Sequence, residues 1–302
     1  MYQKITAFLA LLASPLFLFA DVSLRVTTAT TDLAALVRTI GGDRVEVHSL
    51  VRPLQDPHYL DATPGMVVRL SRSDLVVENG VELEIGWLPE VLSQTRNRSV
   101  RPGGRGHLDA SRNVDLIQVP ERVFRDQGDV HPSGNPHYTL DLTATQPAAE
   151  SIASALIRLD RANREIYQVN LQAFRESAEA TVNRWREKFE PFQGEGIIVY
   201  HRHFDYLTKN LGLEIVDTIE PLPGLAPSAR HIADLMDRWD GESVRLILIE
   251  PWHDPRVTQR VAEHLGVPLV VGCPAVGSCD ETEDLISLFE ANAAKLLQAL
   301  EE

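Results

Sequence analysis

The chain has 302 residues, 44% hydrophobic, 24% charged and 6% aromatic, a globular composition without disorder bias, collagen period or low-complexity tract. Its 29 Lys and Arg against 43 Asp and Glu give a formal net charge of −14, which excludes binding to nucleic acid or anionic lipid through the bulk field. The length admits one large domain or two medium ones, each able to bury a core.

Met1 to Ala20 reads as a secretory signal. Lys4 precedes an apolar run from Ile5 to Phe19 that is short for a membrane span, and the small residue Ala20 stands before Asp21. Leu18 departs from the small residue usual before such a cut, and no cysteine nearby offers a point for a lipid anchor. No later stretch approaches the apolar length of a span, so a soluble, monomeric mature chain in the periplasm is expected.

From Ser23 the pattern alternates. Ser23 to Ala29 is β-rich, and Thr31 to Ile40 has helical spacing behind a Thr31 or Asp32 cap. Gly41-Gly42 stops that helix, and Arg44 to Val51 reads as a second strand. Pro64 starts a helix to Ser71, Asp74 to Glu78 is a strand ended by Asn79-Gly80, and Leu83 to Leu92 is helical. Between Gln146 and Phe189 there is no strand signal; a helix over 147–160 is followed by a long one over 163–189, ended before Pro191. A helix of about 27 residues is roughly 40 Å long, which suits a spine between lobes. Strands at Gly196–Tyr200, Leu213–Asp217, Val244–Ile249 and Pro268–Val271 then alternate with helices near Phe204–Leu211, His231–Trp239, Val257–Leu265 and Asp284–Leu300. The expected fold is α/β. Two lobes, 21–160 and 191–302, each a mostly parallel sheet flanked by helices, are joined by a rigid spine helix over 161–190.

Three of the ten histidines fall where strands should end. His58 lies in Gln55-Asp56-Pro57-His58-Tyr59, His137 in Gly134-Asn135-Pro136-His137-Tyr138, and His201 follows Ile197-Ile198-Val199-Tyr200. In parallel α/β proteins the carboxyl ends of strands face the ligand crevice, and a preceding proline restricts the backbone that aims the imidazole. Three such imidazoles from both lobes would fill most of a tetrahedral zinc shell. His131 and His203 are further candidates, whereas His48, His107 and His264 read as surface or helix residues. Cys273 and Cys279, the only cysteines, either close a small disulfide loop or remain thiols, one of them a metal ligand.

These stretches resemble the zinc/manganese class (cluster A-I) of periplasmic solute-binding proteins that serve metal ABC importers. The resemblance rests on Asp56-Pro57-His58-Tyr59, Gly134 to Tyr138 with Asp141, Asn163 to Asn170, Tyr200-His201 with Phe204 and Tyr206, Glu220 to Gly224, and Glu250-Pro251. It implies that His58, His137 and His201 bind the metal. The family's fourth ligand is usually an aspartate in an Asp-Pro-x-Gly-like segment, but here that segment reads Cys273-Pro274-Ala275-Val276-Gly277. The fourth position therefore falls to Glu250 at the end of an apolar strand, with Cys273, His131, His203, Asp280 or water as alternatives. Residues 103–129 hold only His107, so the His-rich loop of many zinc members is absent.

Three imidazoles with at most one carboxylate favour Zn2+ over Mn2+, which takes more oxygen. The expected function is capture without turnover: ligands from both lobes close over the ion, which an inner-membrane permease of the importer then receives. Asp56, Asp141 or carbonyls would orient the rings, and protons would compete for them as pH falls toward 6.5. The rival readings are a manganese-selective version, a secreted zinc hydrolase with Glu250 as general base, and an adhesin on the same fold. Against the hydrolase, the chain has no His-Glu-x-x-His, Gly-x-Ser-x-Gly or phosphate-loop motif.

Overall fold

A computed structural model describes residues 24–120 and 131–302; the signal read over 1–20 lies outside them. The first four strands are β1 (Leu24–Thr28), β2 (Val45–Ser49), β3 (Leu75–Glu78) and β4 (His107–Asp109), with helices α1 (Thr31–Gly41), α2 (Pro64–Arg72) and α3 (Leu88–Gln94) between them. They form a parallel sheet in the order β2-β1-β3-β4. After α4 (Gln146–Leu159) and α5 (Arg164–Phe189) the pattern repeats as β5 (Gly196–Val199), α6 (Asp205–Leu211), β6 (Glu214–Thr218), α7 (Ala229–Arg238), β7 (Leu246–Ile249), α8 (Pro255–Leu265), β8 (Leu269–Val271) and α9 (Leu285–Glu301). The second sheet, β6-β5-β7-β8, is again parallel. The α/β reading with two parallel lobes and a long helix between them therefore holds. Among the described residues no helix is long and apolar enough to cross a membrane.

The spine helix α5 has 26 residues, about 39 Å at 1.5 Å per residue. Tyr167, Phe174, Ala178, Val182, Trp185 and Phe189 are buried along it, at helical spacings that make one apolar stripe. That stripe belongs to a core containing Val26 and Leu75 of the first sheet and Ile197 and Leu246 of the second. One continuous apolar core thus spans both lobes.

Two elements differ from expectation. The helix read from Leu83 begins only at Leu88, because residues 81–87 run in successive three-residue turns, Leu83 N to Gly80 O, Ile85 N to Glu82 O and Trp87 N to Glu84 O, entered through Val81 and Glu82 at the left-handed φ of 55° and 57°. Strand β4 is three residues long, too short for a period-2 pattern to show. Its pairing with β3 buries His107, read from the sequence as a surface or helix residue; the side chain is 3% exposed.

The turn before α3 also positions the future site. Glu84 accepts Asn79 N at 2.6 Å and Gly80 N at 3.3 Å, and Asn79 Nδ2 donates to Pro136 O at 2.9 Å, beside His137. Burial pushes the Glu84 carboxyl up from 4.5 to about 8. The folded protein then holds a proton that the unfolded chain releases near 4.5. Stability from this group is fully present below that pH and falls by about 1.4 kcal/mol per pH unit until the folded group also ionises. Glu84→Gln, which mimics the protonated acid, should remove this slope. Its melting temperature should exceed that of the parent at pH 8 and match it near pH 4.5; parallel melting curves across that range would refute the assignment.

Candidate metal centre

Of the three histidines read as strand-end residues only His201 closely follows a strand, β5; His58 and His137 lie in loops well beyond β2 and β4 and are placed by the same local device. Asp56 Oδ1 accepts the His58 backbone N–H at 2.9 Å, and Asn135 Oδ1 accepts that of His137 at 2.9 Å. Each Asx-Pro-His triplet is thus a side-chain-closed turn in which the proline sets the middle residue. The turns are tied to the fold by Trp87 Nε1 donating to Pro57 O at 2.9 Å and Tyr206 OH donating to Asn135 O at 2.9 Å. His201 sits two residues beyond Val199 of β5. Because Val199 pairs with Thr218 of β6, the residue two beyond Thr218, Glu220, arrives beside it.

His58, His137 and His201 converge, with one ring nitrogen of each within 4.8 Å of the others. Among the described residues they are the only such group of three or more His, Cys, Asp or Glu. His201 Nε2 stands 3.3 Å from His137 Nε2. Ligand nitrogens at the corners of a zinc tetrahedron, with Zn–N of about 2.0–2.1 Å, stand roughly 3.3–3.4 Å apart. That spacing therefore already matches one edge of a coordination shell.

The outer nitrogens are held by carboxylates. His58 Nδ1 donates to Asp56 Oδ1 at 2.7 Å, and His201 Nδ1 donates to Glu220 Oε1. Each bond leaves Nε2 as the nitrogen facing the cluster. Burial pushes the Asp56 carboxyl up, but the bonds from the His58 ring and backbone outweigh it and leave the group below its usual value. Burial likewise pulls His201 down, and the Glu220 carboxylate more than reverses this. His137 has burial and four neighbouring imidazoles, of His203, His58, His201 and His131, against its charged form, so it sits well below its ordinary value and is neutral.

The other candidates separate. His131 Nε2 stands 3.2 Å from His58 Nε2, outside the group of three. His203 is buried against His137, ring centroids 4.0 Å apart; its Nε2 donates to Pro274 O at 3.0 Å, and burial pushes it down to about 4. Its Nδ1 has no hydrogen-bond partner. Glu250 is 1% exposed and neither carboxylate oxygen has a hydrogen-bond partner, though His253 Nε2 lies 3.2 Å from Oε2; it too stands outside the group of three. Asp280 is exposed. Cys273 as a thiolate ligand is corrected outright, since its sulfur is bonded to Cys279. Asp141 orients no imidazole; it accepts from Thr143 N and Asn210 Nδ2. Glu220 was quoted in the resemblance without a role, and only the β5–β6 register could have revealed one.

The family described as the periplasmic zinc-uptake complex component A, ZnuA, matches residues 26–299. Among curated relatives, the manganese ABC transporter substrate-binding lipoprotein PsaA of Streptococcus anginosus is 25% identical over 82% of this chain and 78% of its own. A crystal structure of ZnuA superposes with a TM-score of 0.76 at 23% identity, covering 92% of this chain and 99% of that one. The laminin-binding protein Lmb of Streptococcus agalactiae, described as both adhesin and metal transporter, gives 0.75 at 21% identity over 92% and 99%. At these identities the two structures show a shared fold.

Proposed function

The chain belongs to the ZnuA family of periplasmic zinc-uptake components, and from that premise we propose that it captures Zn2+ at His58, His137 and His201. It is a metal-binding substrate-binding protein of an ABC importer, working with a membrane permease and an ATPase. Relatives are named for both zinc and manganese, so the metal is argued from the donor set. The observation that carries zinc is the convergence of three imidazole nitrogens with no carboxylate among them. Such a set suits late divalent ions, whereas Mn2+ favours oxygen. His58 and His137 precede the spine and His201 follows it, so an ion bound to all three ties the lobes together. Export through a signal over residues 1–20, cleaved on the way to the periplasm, and action as a monomer complete the proposal.

The fourth position has two claimants. His131 stands at ligand spacing from His58, and Glu250 brings a buried carboxylate without hydrogen bonds. We assign it to His131, whose nitrogen is already paired with a cluster nitrogen. Competitive titration of the mature protein against a chromophoric chelator should find about one zinc per chain with sub-micromolar affinity. His131→Ala should then lose more than the roughly 10- to 100-fold that loss of an orienting partner costs, and Glu250→Gln less than about threefold; the reverse pattern assigns the position to Glu250. Binding of manganese with refusal of zinc would overturn the metal, and binding of neither would overturn the site.

A further inference from the structure

A single buried carboxylate outside the metal cluster joins the segment that carries His137 to the disulfide loop of the opposite lobe. Asp32, in the first turn of α1 and 5% exposed, accepts Thr139 Oγ1 on Oδ2 at 2.7 Å and Val276 N on Oδ1 at 2.8 Å. Thr139 lies two residues past His137. Val276 lies across the cleft, inside the loop closed by the Cys273–Cys279 disulfide. That loop is anchored to its own lobe by Asn292 of α9, which accepts Cys273 N at 2.7 Å and donates to Cys273 O at 2.8 Å. Its Pro274 carbonyl fixes His203, whose ring lies against His137. On the other side Gly277, at φ +79°, approaches so closely that a Cβ there would stand 3.1 Å from Pro53 Cγ, in the segment leading to His58.

We propose that Asp32 is a positioning residue of the metal centre, holding the His137 loop and the disulfide loop of the opposite lobe on one carboxylate so that the imidazoles keep their spacing. It touches no ligand atom. Its bond to Val276 crosses between lobes whose ligands must act on one ion, and its bond to Thr139 holds the segment after His137, so their loss would let His137 drift from His201 without removing any donor. The inference rests on the zinc-capture reading.

The test compares zinc affinity, dissociation rate and X-ray absorption fine structure of the parent with Asp32→Ala, Asp32→Asn and Thr139→Val. Asp32→Ala should bind about tenfold more weakly, chiefly by faster release, with the number of nitrogen donors around zinc unchanged. Asp32→Asn should return to within about threefold, because its amide oxygen still accepts Val276 N–H and its amide nitrogen can donate to the Thr139 hydroxyl. A folded Asp32→Ala that binds and releases zinc like the parent overturns the proposal. So does a lost donor in its absorption spectrum, or failure of asparagine to rescue. Should Asp32→Ala not fold, Thr139→Val decides: a several-fold loss supports the proposal and parent-like binding overturns it. A parent that does not bind zinc would sink the capture reading and Asp32 with it, whereas a binding parent with an unaffected variant sinks Asp32 alone.

Discussion

His58→Ala, His137→Ala and His201→Ala should each weaken zinc binding on the order of 10³-fold. Loss of a partner that merely orients a ligand typically costs 10- to 100-fold, and removal of a donor from a four-coordinate ion costs more. His58 and His201 are partly exposed and His137 caps a single turn at Tyr138–Leu140, so the variants should fold and keep a parent-like circular dichroism spectrum. The losses should be similar for His58 and His201, whose outer nitrogens are held by Asp56 and Glu220. Burial at His137 is more complete, and alanine there also removes the ring against which His203 packs. Competitive titration of the three proteins is the check, and near-parent affinity in any two of them would remove the proposed shell.

The second large effect is expected at Glu220. Glu220→Ala should weaken zinc binding by about 10- to 100-fold although the residue never meets the ion. Its carboxylate accepts from His201 Nδ1, fixes which nitrogen faces the cluster, and raises the basicity of that nitrogen toward a cation. Gly224 N also reaches its other oxygen at 3.3 Å, so the same side chain braces the loop that follows β6. Glu220→Gln retains an acceptor without the charge and should lose less than alanine. Asp56→Asn should behave alike at His58, where the carboxylate accepts both ring and backbone N–H. Parent-like affinity in Glu220→Ala would show that His201 needs no partner to bind.

Much of the architecture was legible because it depends on local pattern. Helix α5 was found within a residue of its true ends, since a long run without strand signal and a terminal Pro191 leave little alternative. Strands β1, β3, β5 and β7, a β-rich run and three short apolar ones, all appear. The start of α3 was misread because Leu83 to Leu92 keeps helical spacing while Val81 and Glu82 take a left-handed backbone. The turn that replaces the helix's first residues is closed by Glu84 accepting from Asn79 and Gly80, contacts that no spacing rule displays.

At the proposed metal centre the sequence by itself determined the candidate donors that local chemistry can aim. Asp56-Pro57-His58 and Asn135-Pro136-His137 close their own turns through the residue before each proline, so two imidazoles are oriented within five residues of chain. Only the tertiary structure decided what meets them. Glu220 reaches His201 through the pairing of β5 with β6, and His107 leaves the surface because β4 pairs with β3. Cys273 is withdrawn from the donor set by its bond to Cys279, and Asp32 joins Thr139 to Val276 across 244 positions of sequence to the latter. The division has one physical cause. Turn geometry and apolar period are set by neighbours along the chain, whereas a ligand's partner, its burial and its competitors are set by which segments the shared core packs side by side.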